Sequence, residues 1–259
     1  MANAEIVELF PSVEDQVSPE EWETRVNLAA CYRLIDLYGM SDMTRTHVSA
    51  RIPGEENFLL NPYGLMFNEI TASSLIKIDL DGNEIANTGP YKINAAGFTI
   101  HSAVHAARED VDCVLHTHSA AGMAISAMQC GLLFISQHSM RFYGRLSYHD
   151  YEGPALDLDE RERLVRDLGG NYSMILRNHG FLTAGRSIQE AFSLVFYLEK
   201  SATSQLQAMA AAGPEALIYP SPEVCEKSAE LFESTLPVSN RDWPGHLRRL
   251  DALDPSYRT

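Results

Sequence analysis

The chain is expected to form an α/β layered domain, with helices on both faces of a sheet. Three observations lead there. Segments of helical period and strand-like runs alternate along the sequence. Turn signals separate them, and one of these, Asp81-Gly82, reads as a hairpin turn, so the sheet is not purely parallel. With 259 residues, 45% of them hydrophobic, there is enough apolar surface for one full core.

Residues 1–17 read as an N-terminal arm. Ser18-Pro19-Glu20-Glu21 starts the first helix, with a capping serine, proline at the first helical position and a glutamate three residues after the cap. Trp22, Val26, Ala30, Leu34 and Leu37 then recur at helical spacing, and Gly39 supplies a stop. Strands are expected at Thr46–Arg51, Phe58–Asn61 and Leu75–Leu80. Gly97–Arg108 has a helical pattern through Ile100, Val104 and Ala107, and the apolar run Val111–His118 follows as a strand. Ser119 caps a short helix reaching Met128. Leu132–Ser136 reads as a buried strand, Asp159–Leu168 as an amphipathic helix closed by Gly169-Gly170, and Met174–Leu176 as another strand. Ser187-Ile188-Gln189-Glu190 is a capping box opening a long helix to about Ala211, and Ser221-Pro222-Glu223 opens one more. No repeat or linker interrupts this series. One domain over residues 18–213 is therefore expected. A C-terminal helix and tail over 214–259 should pack on it or on a neighbouring subunit.

Composition narrows the partners. A formal net charge of -15 argues against a nucleic-acid surface, which needs basic clusters to displace counterions. It does not exclude an anionic substrate, because the field of a bound metal can outweigh the global charge. Cys31, Cys113, Cys130 and Cys225 are scattered and form no C-x-x-C pair, as expected of buried thiols in a reducing cytosol. Met1–Gln16 has no basic stretch followed by an apolar one, and no apolar run approaches membrane-spanning length. A cytoplasmic protein with no membrane partner is the expectation. G-x-G-x-x-G, P-loop and G-x-S-x-G motifs are absent, so nucleotide-dependent and serine-hydrolase chemistry lack support.

The histidines carry the chemistry. His116 and His118 bracket Thr117 at the end of a strand-like run. Side chains at i and i+2 of a strand share a face, so both imidazoles can aim at one point. His179, framed by Asn178 and Gly180 after Met174–Arg177, can add a third from a neighbouring strand. Three nitrogen ligands with an open position make a catalytic metal site rather than a structural one. Two adjacent buried imidazoles without a metal would leave polar nitrogens to satisfy. His101 and His105, spaced i, i+4 on a helix, could hold a metal too, but they lack the H-E-x-x-H form, and packing or a supporting role fits them better. His47, His138 and His149 lie near strand or loop ends and could line a pocket. Trp243, His246, Arg248, Arg249 and Tyr257 read as a surface strap.

Together these motifs resemble the class II aldolase/adducin family from about Glu20 to Ala211. The carrying segments are Thr46–Arg51, Asn61-Pro62-Tyr63-Gly64, Glu69–Leu75, the paired histidines and Leu176-Arg177-Asn178-His179-Gly180. Gly97–His101, Met128–Gly131 and Tyr148–Tyr151 are closest to the adducin-like branch, and the Trp243 to Tyr257 tail is similar to its bacterial members. The resemblance implies a three-layer α/β/α fold around a mainly antiparallel sheet. It implies a homo-oligomer, a tetramer first, with active sites between subunits and tail residues such as Trp243 or Tyr257 near a neighbour's site. It also implies a divalent metal on His116, His118 and His179. Zinc comes first, as in the sugar-phosphate aldolases, with Fe(II) or Mn as alternatives.

Two departures shape the functional expectation. Those aldolases carry an acid/base glutamate four residues before the position of His101, and here that residue is Gly97. Their phosphate-gripping Gly-Asn-x-Ser is here Thr46-His47-Val48-Ser49. Adducins share the glycine and are cytoskeletal proteins. The expectation is a metal-dependent lyase, a decarboxylase or aldolase-like enzyme. It would act on a small unphosphorylated carboxylate or carbonyl compound through a metal-stabilised enolate. A non-haem Fe(II) oxygenase of aromatic or hydroxy acids is the alternative, and a non-catalytic adducin-like binding protein the third reading. His101, His138, Tyr143 and Tyr148 are candidate proton donors. His47, Ser49, Asn61, Tyr63, Gly97 and Tyr257 are candidates for the substrate pocket, which should be wider on the side of Gly97.

Overall fold

The computed structural model describes residues 8–153, 158–235 and 241–259. Eight strands form one sheet: β1 (His47–Arg51), β2 (Phe58–Leu60), β3 (Ile76–Ile78), β4 (Glu84–Ala86), β5 (Cys113–Thr117), β6 (Ser147–His149), β7 (Ser173–Leu176) and β8 (Gly180–Gly185). Their order is β4-β3-β2-β1-β5-β8-β7-β6. Only β6 and β7 pair in parallel, so the sheet is mainly antiparallel as expected.

The helices are α1 (Pro19–Leu37), α2 (Ala95–Ala107), α3 (Ala120–Ser126), α4 (Gln137–Met140), α5 (Leu158–Leu168), α6 (Ile188–Ala212), α7 (Pro222–Thr235) and α8 (Trp243–Leu253). Strand alternation assigns them to two faces. Val48, Ala50, Cys113 and Leu115 point into a core shared with Leu28, Tyr32 and Ile35 of α1 and Val195 and Leu198 of α6. Val114, Met174 and Leu182 point the other way, onto Val104 of α2 and Leu164 and Leu168 of α5. The result is three layers, α/β/α.

Helix ends follow their local chemistry. Ser18 Oγ accepts the Glu21 amide at 3.1 Å, and Gly39 takes φ +70° just past the end of α1. Ser187 caps α6 by accepting the Glu190 amide at 3.2 Å. The Glu190 carboxylate turns outward to the Arg186 amide at 2.8 Å and its guanidinium at 2.7 Å, so this capping box is only half formed.

Several expectations are corrected. Leu132–Ser136 is not a strand. Side chains take its backbone donors instead: the Leu132 amide donates to the Tyr148 hydroxyl at 3.1 Å and the Leu133 amide to Gln205 Oε1 at 2.7 Å. Strand β6 was not anticipated, being three residues that pair at the sheet's end. Cys130 is exposed, at the turn after α3, whereas Cys31, Cys113 and Cys225 are buried. The tail is no surface strap. Trp243 is buried with its indole N–H on Asn27 at 2.8 Å. The Ala72 and Ser73 amides both donate at 2.9 Å to the carbonyls of Tyr257 and Thr259. Phe10 and Val13 of the N-terminal segment are buried as well. Among the described residues no helix is long and apolar enough to cross a membrane.

Candidate metal centre

The middle of the sheet places the histidines. β5 lies between β1 and β8, with His116 opposite His47 on one side and Leu182 on the other. His118 stands just beyond the last residue of β5. His179 comes not from a strand but from the tight turn joining β7 to β8. That turn explains its flanking residues. Asn178 sits at φ +55°, a left-handed conformation that asparagine tolerates. A Cβ on Gly180 would lie 2.2 Å from the Thr117 carbonyl oxygen, so only glycine lets the turn close onto the end of β5.

The three imidazoles converge. His118 Nε2 lies 2.8 Å from His116 Nε2 and 2.9 Å from His179 Nε2. All three side chains can offer a ligand atom within 4.8 Å of one another. The nitrogens on the far sides fix the tautomers. His116 Nδ1 is 2.8 Å from the Phe181 carbonyl oxygen, and His118 Nδ1 is 3.0 Å from an Asp42 carboxylate oxygen. Both partners only accept, so each Nδ1 carries the proton and each Nε2 presents a lone pair. Two lone pairs therefore face each other across 2.8 Å. Burial, then repulsion from His179 and His118, holds His116 well below the ordinary histidine range, which works against a proton on its Nε2, and burial holds His179 at about 4. A cation between the facing lone pairs relieves their repulsion, and the donor set fits a divalent metal.

A second chain of polar groups leads away from this point, built from β1 and α2. His47 is tilted against His116, with ring centroids 5.5 Å apart. Its Nδ1 meets His101 Nε2 at 2.7 Å. His101 Nδ1 meets Ser49 Oγ at 2.6 Å, and Ser49 Oγ meets His105 Nε2 at 2.8 Å. All four groups are buried. Burial first, and then the charge of neighbouring groups, holds His47 and His105 down at about 3. His101 and His105 thus lie behind His47 in one hydrogen-bonded chain, apart from the three converging imidazoles.

Gly97 corrects the expected pocket shape. A Cβ there would lie 2.2 Å from His47 Cδ2 and 2.5 Å from its Nε2. The room that glycine leaves is filled by an imidazole, so the pocket is not wider on that side.

The remaining candidates engage other groups. Asn61 accepts from the Tyr32 hydroxyl at 2.8 Å, tying β2 to α1. Tyr63 is exposed. His138 packs on Tyr197 with centroids 4.8 Å apart, and Tyr143 on Phe134 at 5.1 Å. The Tyr148 ring lies under the Arg177 guanidinium at 4.3 Å. Tyr257 is fully buried, and its hydroxyl donates to Asp251 at 2.8 Å. None of these six makes a hydrogen bond or ring contact with the three imidazoles among the described residues. Two residues beside the three imidazoles were not among the site candidates. Asp42 lies 76 positions before its partner, in a loop without a motif. Tyr151, exposed, stands 6.0 Å from the His179 ring.

A mainly antiparallel three-layer sheet with three imidazoles gathered at the end of its middle strand is the frame that the motifs implied. The profile described as Class II Aldolase and Adducin N-terminal domain matches residues 26–206, and the chain belongs to that family. An aldolase II superfamily protein from Pseudomonas syringae superposes with a TM-score of 0.93 at 50% identity, covering 96% of this chain and 100% of that one. An L-fuculose 1-phosphate aldolase from Glaciozyma antarctica PI12 superposes with a TM-score of 0.82 at 28% identity, covering 96% of each chain. Alpha-adducin of Rattus norvegicus is 43% identical over 203 residues, which span 76% of this chain and 27% of the adducin.

Proposed function

We propose that the protein is a metal-dependent lyase that breaks a carbon–carbon bond beside a carbonyl or carboxylate of a small, unphosphorylated substrate. One observation carries the reading: the Nε2 lone pairs of His116 and His118 face each other at 2.8 Å, with both tautomers fixed from behind. His116, His118 and His179 would hold the metal through Nε2, zinc first, with Mn or Fe(II) as alternatives. When bound, a divalent metal supplies a Lewis acid that holds a substrate oxygen while negative charge builds on it.

The chain's own residues do the rest. The Phe181 carbonyl and Asp42 orient two of the ligands. His47 stands beside His116, and its Nε2, which makes no hydrogen bond among the described residues, is the group proposed to meet substrate. His101, Ser49 and His105 hold that ring and decide which of its nitrogens carries the proton. The same bonds argue against a phosphate. The Ser49 hydroxyl is committed to two imidazoles, and His47 fills the space over Gly97. Exposed Tyr151, 6.0 Å from the His179 ring, gives the rim an aromatic surface that suits an aromatic acid. The assembly is proposed to be a homo-tetramer, which light scattering at micromolar concentration tests.

The decisive experiment measures metal content in the purified protein, then carbon dioxide release from a panel of aromatic and keto acids. Stoichiometric zinc or manganese, with release abolished by a chelator, is the expected result. Iron with oxygen uptake would move the reading to the oxygenase. Protein that neither carries nor takes up metal would sink the lyase and leave an adducin-like binding role. Robust cleavage of L-fuculose 1-phosphate would restore the sugar-phosphate reading.

A further inference from the structure

Away from the three imidazoles, Arg141 is a cation without an ion-pair partner among the described residues. It follows the short helix α4 as its C-terminal cap. Its guanidinium lies over two rings, with Cζ 4.0 Å from the centroid of Tyr197 and 4.5 Å from that of Phe232. Its Nε is buried and makes no hydrogen bond. No carboxylate forms an ion pair with it among the described residues. Arg145, on the same segment, takes two, Glu226 at 2.8 Å and Glu233 at 3.0 Å. Asp242 is near enough to act on Arg141 through its charge but does not bond it. Lys200 adds to the positive field, and burial, then Arg141 and Lys200, hold His138 below its ordinary range.

This is an unusual state in a chain with 35 acidic residues against 20 basic ones. A partly buried guanidinium normally finds an acid, because removing it from water unpaired is costly. Contacts with two rings hold the group in place, and its N–H donors form the fork that receives a carboxylate at two points. Arg141 lines a cavity of about 50 Å³. Its wall includes Arg141, Asn171, Ser173 and Glu233, the last already neutralised by Arg145.

We propose that Arg141 is a carboxylate-binding site, separate from the metal centre and independent of the reaction proposed for it. The carboxylate is either a small free acid or an Asp or Glu side chain of a second copy of this chain. The chemistry is the same, and the source is a matter for the test.

The experiment uses the full chain labelled with ¹⁵N. The Arg141 Nε–H resonance is assigned by its disappearance in Arg141→Gln. Sodium malonate is then titrated against sodium chloride of equal ionic strength. A free-acid site is expected to give a saturable shift of that resonance and a malonate-dependent rise in Tm that Arg141→Gln lacks. A site filled by a second copy is expected to give a resonance that moves on protein dilution, and a smaller particle by light scattering for Arg141→Gln. Should that variant fail to fold, Arg141→Lys serves. It keeps the charge but loses the fork, and should weaken either effect about tenfold or more. The proposal is overturned if the resonance ignores both malonate and dilution, or if both variants respond as the wild type does.

Discussion

At the scale of single residues, the candidate centre depends on groups outside its three imidazoles. Asp42 holds His118 in the tautomer whose Nε2 faces inward. Asp42→Asn should therefore lower zinc affinity by about 10–100-fold while leaving the fold intact. Competition against a chromophoric chelator would measure this, and an unchanged Kd would show that the carboxylate is incidental. Gly97 makes a steric prediction. Gly97→Ala drives a methyl to within 2.2 Å of the His47 ring and should cost about 1–3 kcal/mol in urea unfolding. Replacing His47 with alanine as well should recover most of that loss. If the single variant unfolds at the wild-type midpoint, the ring is free to move and Gly97 is not tied to it. A glutamate at position 97 meets the same obstacle, so restoring the family's carboxylate requires changing His47 with it.

At the scale of elements, what was legible is what local chemistry writes. The capping serines, Ser18, Ser119 and Ser187, mark true helix starts. The H-x-H pair lies at the end of a true strand, and the Asn178 and Gly180 flanks of His179 are demands of a turn. What failed depends on distant partners. Leu132–Ser136 has the composition of a strand, yet no neighbouring strand offers it a ladder. Gln205, more than seventy residues on, does that work instead, accepting from the Leu133 amide and donating to the Gly131 carbonyl at 2.9 Å. Gln205→Leu keeps the size of this buried side chain but strands two backbone groups, and should cost about 2–5 kcal/mol. Denaturant unfolding that moves by less than about 0.5 kcal/mol would mean that water satisfies them. The tail misled for a similar reason. Its polar residues are spaced so that Trp243, Leu250 and Tyr257 all turn inward once the chain coils, and a linear reading does not reveal that.

For the molecule as a whole, the buried imidazoles set a pH limit. His47 and His105 are held at about 3 in the fold, against about 6.5 in an unfolded chain. Their folded values are depressed, so below pH 6.5 the unfolded state binds protons that the native state refuses. The stability linked to these groups is complete above about pH 6.5 and is lost as pH falls toward 3. Each histidine contributes on the order of 1.4 kcal/mol per pH unit within that window. The metal-free protein should therefore lose stability steeply between pH 6.5 and 5, where carboxylates held low, such as Asp110, still keep their charge. Urea midpoints at pH 7.5, 6 and 5 measure this, and a flat profile would show that the cluster is hydrated and freely protonated.

The convergence of imidazoles at the centre of the sheet also has a temporal side. His118 and His179 are 61 residues apart in sequence and meet only when β8 has paired with β5. Before then a nascent chain offers just the adjacent pair, a bidentate and weak chelator. Full affinity arises at the moment the middle of the sheet closes. An ion held at the proposed site would thus bind only after this pairing, as a clasp joining a hairpin tip to a strand end far away along the chain. Uptake of metal would then report completed assembly, and a culture starved of metal should accumulate protein whose weakest region to proteolysis is the turn that carries His179.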